Sequence, residues 1–136
     1  MGKIRTLLLT GALATAGVAF GAPAHATSFN GVCETGEVCL WVDSSFNGPV
    51  FDDYNSLAFY PGHYFVNSNI GLNDNASSSA NYDASNYCRM YVDAYGGGAN
   101  VLMQKYGVII SGSNGWYYGT FGWFNDQASS HYFSAS

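Results

Sequence analysis

Two short polar segments carry the side chains best suited to bind a cation. They are NDNASS at residues 73–78 and NDQASS at residues 125–130, called the two hexapeptides below. Each offers one carboxylate, serine hydroxyls and backbone carbonyls, which are oxygen ligands that Ca²⁺ accepts. The same residue types also suit a structural role, because Asn, Asp and Ser side chains hydrogen-bond to nearby backbone in turns. With one carboxylate each, the hexapeptides predict at most weak calcium sites of the kind found in extracellular proteins.

Few residues offer catalytic chemistry. Apart from His25 in the N-terminal segment, the histidines are His63 and His131, and Cys88 could pair with either as a nucleophile. The adjacent Asp52 and Asp53 would point to opposite faces of a strand and could not easily share a site. The motifs G-x-S-x-G, H-E-x-x-H and C-x-x-C are absent from the sequence. We expect no catalytic residues, no enzyme activity and no required cofactor, with calcium as an open alternative.

The first 26 residues have the pattern of a secretory signal peptide. Lys3 and Arg5 precede the apolar run LLLTGALATAGVAFGA, and Ala24-His25-Ala26 supplies small residues at the positions that a signal peptidase reads. A membrane anchor is the alternative, but the run is short and is interrupted by glycine and proline. The sequence therefore predicts a secreted, extracellular protein of residues 27–136, which suits one domain.

The charge of this mature chain limits its partners. Removal of Lys3 and Arg5 takes the formal net charge from −5 to −7 and leaves Arg89 and Lys105 as the remaining Lys and Arg residues. Binding to nucleic acid or to an anionic membrane needs many basic side chains, so neither is expected. A cation or a partner with a basic surface fits better, and we expect the protein itself to be a monomer.

Composition and cysteines indicate an exported all-β domain. Aromatic residues make up 17% of the chain and alternate with clusters of Gly, Asn and Ser, which favours short strands joined by turns. Cys33 and Cys39 enclose ETGEV and are expected to form a disulfide. Cys88 is then left over, either buried and inert or free to pair between molecules.

The sequence indicates two copies of one supersecondary unit. When Cys39 is aligned with Cys88, CLWVDSSFNG lies over CRMYVDAYGG at an offset of 49, and the two hexapeptides align after three inserted residues. This indicates two repeats at about residues 33–82 and 83–136, each too small to form a core alone. Further matched pairs at this offset are Trp41 with Met90, Phe46 with Tyr95, and Gly48 with Gly97.

Each repeat is expected to contain four short strands. Regularly spaced strands with Gly-rich turns at SSFNGP and YGGGAN favour a Greek-key β-sandwich. The predicted strands are 38–43, 49–54, 63–66 and 77–82 in the first repeat, and 88–93, 100–106, 116–120 and 129–134 in the second.

These motifs resemble those of the βγ-crystallins. Aromatic-x4-aromatic-x-Gly, here Trp41-x4-Phe46-x-Gly48, followed by a hexapeptide is similar to one βγ-crystallin repeat, and the second copy departs at Met90. The opening C-x5-CLWVDSSFNG behind a signal peptide resembles peptidase inhibitor family 36, the secreted bacterial metalloprotease inhibitors. The resemblance implies an all-β, βγ-crystallin-like double Greek-key β-sandwich. It also implies inhibition of a secreted metalloprotease by a rigid, substrate-like loop.

The resemblance also implies how calcium would be held. In the family the two motifs cross, so Asp74 would share an ion with Ser129, and Asp126 with Ser77. Backbone carbonyls would add ligands at Asn75, Gln127, Val42 and Tyr91.

The inhibitory loop is expected beside a cysteine in the second repeat. This places it at 82–88, that is Tyr82, Asp83, Ala84, Ser85, Asn86, Tyr87 and Cys88. At the offset of 49, Tyr82 occupies the position of Cys33, so this loop lacks a disulfide. The disulfide-bounded loop 33–39 is the other candidate, and for both loops an ordinary surface connection is the alternative.

A third class of function is recognition of a carbohydrate or cell wall. NGWYYGTFGWF at 114–124 contains six aromatic residues that could stack on sugars or simply fill the core. The alternative to an inhibitor is thus a calcium-binding extracellular βγ-crystallin-type protein with a structural or surface-recognition role, including a toxin-like one.

Overall fold

The computed structural model describes residues 26–106, 108–109 and 124–135. The predicted signal peptide up to residue 25, the predicted strand 116–120 and the aromatic segment up to residue 123 lie outside these ranges. Within the described ranges, no helix has the length and apolar character needed to cross a membrane.

Two antiparallel sheets form the fold. The first has the strand order β2-β1-β3-β6 and the second has the order β5-β4-β7. The strands are β1 (Val38–Asp43), β2 (Asn47–Asp53), β3 (Ser78–Asn81), β4 (Tyr87–Tyr91), β5 (Asn100–Met103), β6 (Val108–Ile109) and β7 (Ser130–Ser134).

The core lies between the sheets and is built by alternation along the strands. In β4, Cys88 and Met90 are fully buried, whereas Tyr87, Arg89 and Tyr91 are partly exposed on the other face. One continuous apolar cluster receives side chains from both sheets and from the loops between them. Its largest members are Tyr60, Phe51, Phe65, Phe124, Leu40, Leu72, Met90 and Met103.

Each repeat contributes backbone pairing to the other repeat's sheet. Leu57 of the first repeat forms a bridge to His131 of β7, with reciprocal N–H···O hydrogen bonds of 2.9 Å. In return, β6 of the second repeat pairs with β3 of the first sheet. The two repeats therefore form one structural unit in which neither sheet is complete by itself.

The backbone pairing corrects the repeat offset from 49 to 50. Trp41 pairs with Val50, whereas Tyr91 pairs with Asn100. The carbonyl of Trp41 accepts the Ser77 N–H, just as the carbonyl of Tyr91 accepts the Ser129 N–H, both at 2.9 Å. Trp41 is thus equivalent to Tyr91 rather than to Met90. By the same register Cys88 corresponds to Val38, and Arg89 corresponds to Cys39.

The hairpin glycines agree with this register. A Cβ at Gly48 would lie 2.6 Å from Asp43 Oδ2, and a Cβ at Gly98 would lie 2.5 Å from Asp93 Oδ2. Both glycines have positive φ, +77° and +72°, whereas Gly97 does not. Gly98, not Gly97, is therefore the counterpart of Gly48.

The second repeat departs from the aromatic pattern at its second aromatic position, not at its first. In the first repeat Phe46 packs edge-on against Trp41, with ring centroids 5.1 Å apart. The equivalent of Phe46 is Gly96, and a Cβ there would lie 3.2 Å from a ring carbon of Tyr132. Tyr132 packs edge-on against Tyr91 at 5.9 Å and so supplies the missing ring.

The predicted strand 63–66 is wrong. Its segment folds back on itself, with an isolated bridge between Tyr64 and Gly71 and a hydrogen bond of 2.8 Å from the Leu72 N–H to the His63 carbonyl. Residues with positive φ at Gly62 and Asn67 turn the chain before and after it. The other predicted strands that fall within the described residues lie within about three residues of their predicted bounds, whereas β6 was not predicted.

Candidate functional site

The two hexapeptides cross in the structure. The Ser77 hydroxyl donates to Asp126 Oδ1 at 2.9 Å, and the Ser129 hydroxyl donates to Asp74 Oδ1 at 3.2 Å. The Asp74 and Asp126 N–H groups donate to carbonyls of the opposite hexapeptide, at 3.0 and 3.1 Å. Both aspartates have positive φ, near +55°, a conformation that Asp tolerates better than most residues. The arrangement brings together the Asp–Ser pairs that the sequence analysis proposed as shared calcium ligands.

Each crossing contains an unpartnered buried oxygen. Asn73 Nδ2 donates to Asp74 Oδ2 at 2.6 Å, and Asn125 Nδ2 donates to Asp126 Oδ2 at 2.7 Å. The amide oxygens of Asn73 and Asn125 are buried and have no hydrogen-bond partner. A buried polar atom without a partner is unfavourable, so both crossings have an oxygen available to a cation. Groups of three or more His, Cys, Asp or Glu side chains that could hold a metal are absent from the described residues, so these are carboxylate-poor sites.

The second serine of each hexapeptide is structural. Ser78 Oγ donates to the Asp43 carbonyl at 2.7 Å and accepts the Phe46 N–H at 3.0 Å. Ser130 makes the equivalent bonds, to the Asp93 carbonyl at 2.8 Å and from the Gly96 N–H at 3.1 Å. Each therefore ties a hexapeptide to the hairpin of its own repeat.

Two of the proposed carbonyl ligands do not occupy equivalent positions. Val42 corresponds to Val92 in the corrected register, and Tyr91 corresponds to Trp41. The Tyr91 carbonyl already accepts the Ser129 N–H. The pairing of Val42 with Tyr91 was a consequence of the one-residue error in the offset. The other proposed carbonyl donors, Asn75 and Gln127, lie in the exposed middle of each hexapeptide.

The two candidate inhibitory loops lie side by side. The Tyr82 N–H donates to the Glu37 carbonyl at 2.7 Å, and the Gly36 N–H donates to the Tyr82 carbonyl at 3.1 Å. These bonds extend the pairing of β1 with β3 beyond the strand ends. Loops 33–37 and 82–86 therefore form one surface, called the paired loops below, although 45 residues separate Glu37 from Tyr82 in the sequence.

The loop 82–86 is held by Asp83 in place of a disulfide. Asp83 Oδ1 accepts the Ser85 and Asn86 N–H groups at 2.6 and 2.8 Å, and Oδ2 accepts Asn86 Nδ2 at 3.0 Å. Burial alone would raise the pKa of Asp83, but these hydrogen bonds and the nearby Lys105 ammonium hold it below its usual range. Buried Asn81 adds a second anchor by donating to the Asn86 carbonyl at 2.9 Å.

The structure shortens the predicted loop at its C-terminal end. Tyr82, Ala84 and Ser85 are exposed, and the chain bends at Ala84 and Ser85. Tyr87 and Cys88 belong to β4, and Cys88 is fully buried. Cys88 is therefore wrong as a contact residue, because a strand side chain that faces the core cannot reach a protease.

The loop 33–37 is held by a disulfide and by a buried glutamate. Cys33 and Cys39 form the predicted disulfide. Glu37 is fully buried, its Oε2 accepts the Glu34 N–H at 2.7 Å, and its Oε1 has no partner. Burial raises the pKa of Glu37 to about 7, and the Asp52 carboxylate adds to this effect. A protonated Glu37 thus supports the loop below about pH 7.

Two of the residues considered for catalysis, His131 and Cys88, are inaccessible. His131 is fully buried: its Nδ1 lies 2.8 Å from the Tyr60 hydroxyl and its Nε2 lies 2.8 Å from the Asn55 carbonyl. Burial lowers the pKa of His131 to about 4 and raises that of the Cys88 thiol well above its usual range. Both groups are therefore neutral core residues near neutral pH.

A further site was not predicted from the sequence, because strand alternation places Tyr87 and Arg89 on one face of β4 but does not reveal a cavity. Arg89 and Tyr87 lie on the outward face of β4, and with Lys105 they line an open cavity of about 310 Å³. The cavity adjoins the loop 82–86, because Tyr87 follows that loop directly. We call it the Arg89–Lys105 cavity.

Comparison with known proteins assigns the chain to a family and to a fold. A model of peptidase inhibitor family I36 matches residues 26–103. No curated protein matched the sequence. Among solved structures, a domain described in work on the evolution of the eye-lens βγ-crystallin fold aligns with a TM-score of 0.58 and 18% identity, covering 78% of this chain and 95% of that one. A βγ-crystallin from Ciona intestinalis aligns with a TM-score of 0.53 and 20% identity, covering 73% of this chain and 100% of that one. The chain therefore belongs to peptidase inhibitor family I36 and folds as a βγ-crystallin domain.

Proposed function

We propose that this protein is a secreted, non-catalytic inhibitor of a metalloprotease and that the paired loops occupy the protease cleft. The observation that carries the proposal is the rigid pairing of loops 33–37 and 82–86 through the backbone of Tyr82. Membership of an inhibitor family supports an inhibitory role, and the disulfide fits an oxidising, extracellular location.

Rigidity is the property that an inhibitory loop needs. Ordering a flexible loop on binding costs about 0.5–1.5 kcal/mol for each immobilised side chain. Here the disulfide holds one loop, and the hydrogen bonds to Asp83 and from Asn81 hold the other. The exposed Tyr82, at 42% of its accessible area, is the large side chain that this surface presents.

The test is inhibition of a thermolysin-like metalloprotease by the purified secreted protein. We expect sub-micromolar inhibition by the wild type. Asp83→Ala should weaken it about tenfold or more, because the loop loses three hydrogen bonds worth about 1 kcal/mol each and must be ordered on binding.

Asp74→Ala is the matched control, since it removes the same carboxylate type from a hexapeptide instead of the loop. It should leave inhibition unchanged as long as the variant remains folded. Equal inhibition by wild type and Asp83→Ala would show that the loop 82–86 is not the contact surface. No inhibition by the wild type at tens of micromolar would refute the inhibitor proposal.

Calcium binding is a second proposed function, favoured by the unpartnered oxygens of Asn73 and Asn125. The residues present fit a weak oxygen site at each crossing. Asp74 with Ser129 would hold one ion and Asp126 with Ser77 the other, with the adjacent Asn73 or Asn125 amide oxygen available. Bound calcium would supply a positive charge that fastens the two repeats together.

Thermal unfolding in millimolar calcium tests this second function. We expect the melting temperature to rise with calcium, because an ion bound only by the folded state stabilises it. Asp74→Ala combined with Asp126→Ala should abolish the rise, while Asp93→Ala, outside both hexapeptides, should preserve it. An unchanged wild-type melting temperature would exclude calcium binding at these concentrations.

A further inference from the structure

The Arg89–Lys105 cavity contains the arginine and the lysine side chain of the mature protein. Arg89 and Lys105 are the Lys and Arg residues that remain after the predicted signal peptide, in a chain whose formal net charge is then −7. Both line one cavity of about 310 Å³ on the outer face of the second sheet. The cavity is completed by Tyr87, Leu102, Ser134 and Ala135.

The strand register brings the residues that line this cavity together. Arg89 pairs with Leu102 of β5, and Tyr87 pairs with Ser134 of β7. Side chains directly opposite each other on neighbouring strands lie close on one face. The cavity therefore sits on a rigid three-stranded sheet rather than on a mobile surface.

Both cations contact a neighbouring side chain. Arg89 Nη1 donates to Asn100 Oδ1, and Lys105 Nζ lies 5.0 Å from the centre of the Tyr87 ring. A guanidinium carries five N–H donors, so the hydrogen bond to Asn100 leaves others to point at a ligand. A planar guanidinium matches the two oxygens of a carboxylate, and the nearby ammonium adds a second charge.

The cavity adjoins the loop 82–86, one of the two paired loops. The Tyr106 N–H, next to Lys105, donates to the Asp83 carbonyl at 3.1 Å. Tyr87 joins the loop 82–86 to β4 and lines the cavity. A protein that covers the loop would therefore also reach the cavity.

We propose that the Arg89–Lys105 cavity binds the carboxylate of an Asp or Glu side chain on the surface of the protease that the paired loops inhibit. This inference rests on the proposed function. The exposed side chain of Leu102, at 43% of its accessible area, would contact the methylene groups of that residue. The cavity would thus add a polar anchor beside the inhibitory loop.

The first experiment tests the cavity without any protease. The isotopically labelled protein is titrated with N-acetyl-glutamate amide and, separately, with its glutamine analogue, and the Arg89 side-chain and Tyr87 backbone signals are followed by NMR. We expect shifts with the glutamate probe alone, and binding at least about fivefold weaker in Arg89→Gln. Absence of shifts, or equal shifts with both probes, would overturn the proposal.

The second experiment measures inhibition. Arg89→Gln should weaken inhibition about tenfold at low salt, with a smaller loss at high salt, where exposed charges are screened. Arg89→Lys should retain part of the activity, because it keeps the charge but loses the planar pair of donors. Lys105→Gln provides a second variant if Arg89→Gln lowers the melting temperature.

The two experiments separate this inference from the proposed function. Equal inhibition by wild type and both charge variants would refute the cavity contact while the inhibitor proposal stands. A wild type that inhibits no metalloprotease would refute the inhibitor proposal and with it the protease as the partner. The probe titration would then decide alone whether the cavity binds carboxylates.

Discussion

At the scale of single residues, Glu37 is a buried acid placed under a candidate contact loop. Its Oε1 has no hydrogen-bond partner, and its pKa is raised to about 7 from the ordinary 4.5, mainly by burial. A group whose pKa is higher in the folded state binds its proton more tightly there. Its contribution to stability is therefore complete below about pH 4.5 and is lost as the pH rises through about 7.

Glu37→Gln should remove this pH dependence. We expect the free energy of unfolding of the wild type, measured against Glu37→Gln by urea denaturation, to fall by about 1–3 kcal/mol between pH 4.5 and pH 8. Glu34→Gln removes a carboxylate that raises the pKa of Glu37 less than burial does, so it should keep most of the wild-type slope. Parallel pH profiles for wild type and Glu37→Gln would show that Glu37 does not titrate in this range.

At the scale of elements, the hairpins show what the sequence could and could not establish. The bounds of β1 were predicted correctly, because VCLWVD has no glycine and lies between clear turn residues. The offset between the repeats was wrong by one residue, because Cys39 matches Cys88 only at an offset of 49, whereas Trp41-Val42-Asp43 matches Tyr91-Val92-Asp93 only at 50. These two matches conflict, and the backbone hydrogen bonds decide for the offset of 50.

One part of the candidate site was predictable from the sequence and two parts were not. The crossing of the hexapeptides follows from their positions in a double Greek key, and Asp74 and Asp126 do meet the expected serines. The contact between the loops could not be predicted, because it depends on how far the pairing of β1 with β3 continues past the strand ends. The Arg89–Lys105 cavity needs three strands in register and has no signature within any one of them.

Gly98→Ala tests the corrected register. The methyl group would lie 2.5 Å from Asp93 Oδ2 and 2.6 Å from Val92 Cγ2, at a φ of +72°. We expect a loss of about 2–4 kcal/mol in the free energy of unfolding, from backbone strain together with the clash.

Gly62→Ala is the control for this measurement. Gly62 also has positive φ, at +88°, but its added methyl would meet nothing within 4 Å, so only the strain applies. Its loss should be clearly smaller than that of Gly98→Ala. Equal losses would mean that the close approach to Asp93 is relieved by a small shift of the hairpin.

At the scale of the whole molecule, the exchange of segments joins the two repeats into one cooperative unit. Leu57 bridges to β7, β6 pairs with β3, and the hexapeptides cross between the sheets. Opening either sheet exposes apolar surface that belongs to the shared core. We therefore expect both sheets to unfold in a single transition.

Hydrogen exchange of the Ser130→Ala variant measures this coupling. The substitution removes two hydrogen bonds of the second repeat and should lower global stability by about 1–3 kcal/mol. If the repeats are coupled, the amides of Leu40 in β1 and Met90 in β4 lose protection equally. Loss confined to Met90 would show that the second sheet opens independently.

The exchange of segments also bears on how this chain could have arisen. Two identical one-repeat chains that crossed their hexapeptides and lent each other a segment would form a closed twofold dimer, with the same contacts that now lie within one molecule. Joining two such copies by gene duplication would need only a linker between β3 and β4, here residues 82–86. On this history the loop that we propose to inhibit a protease began as a tether.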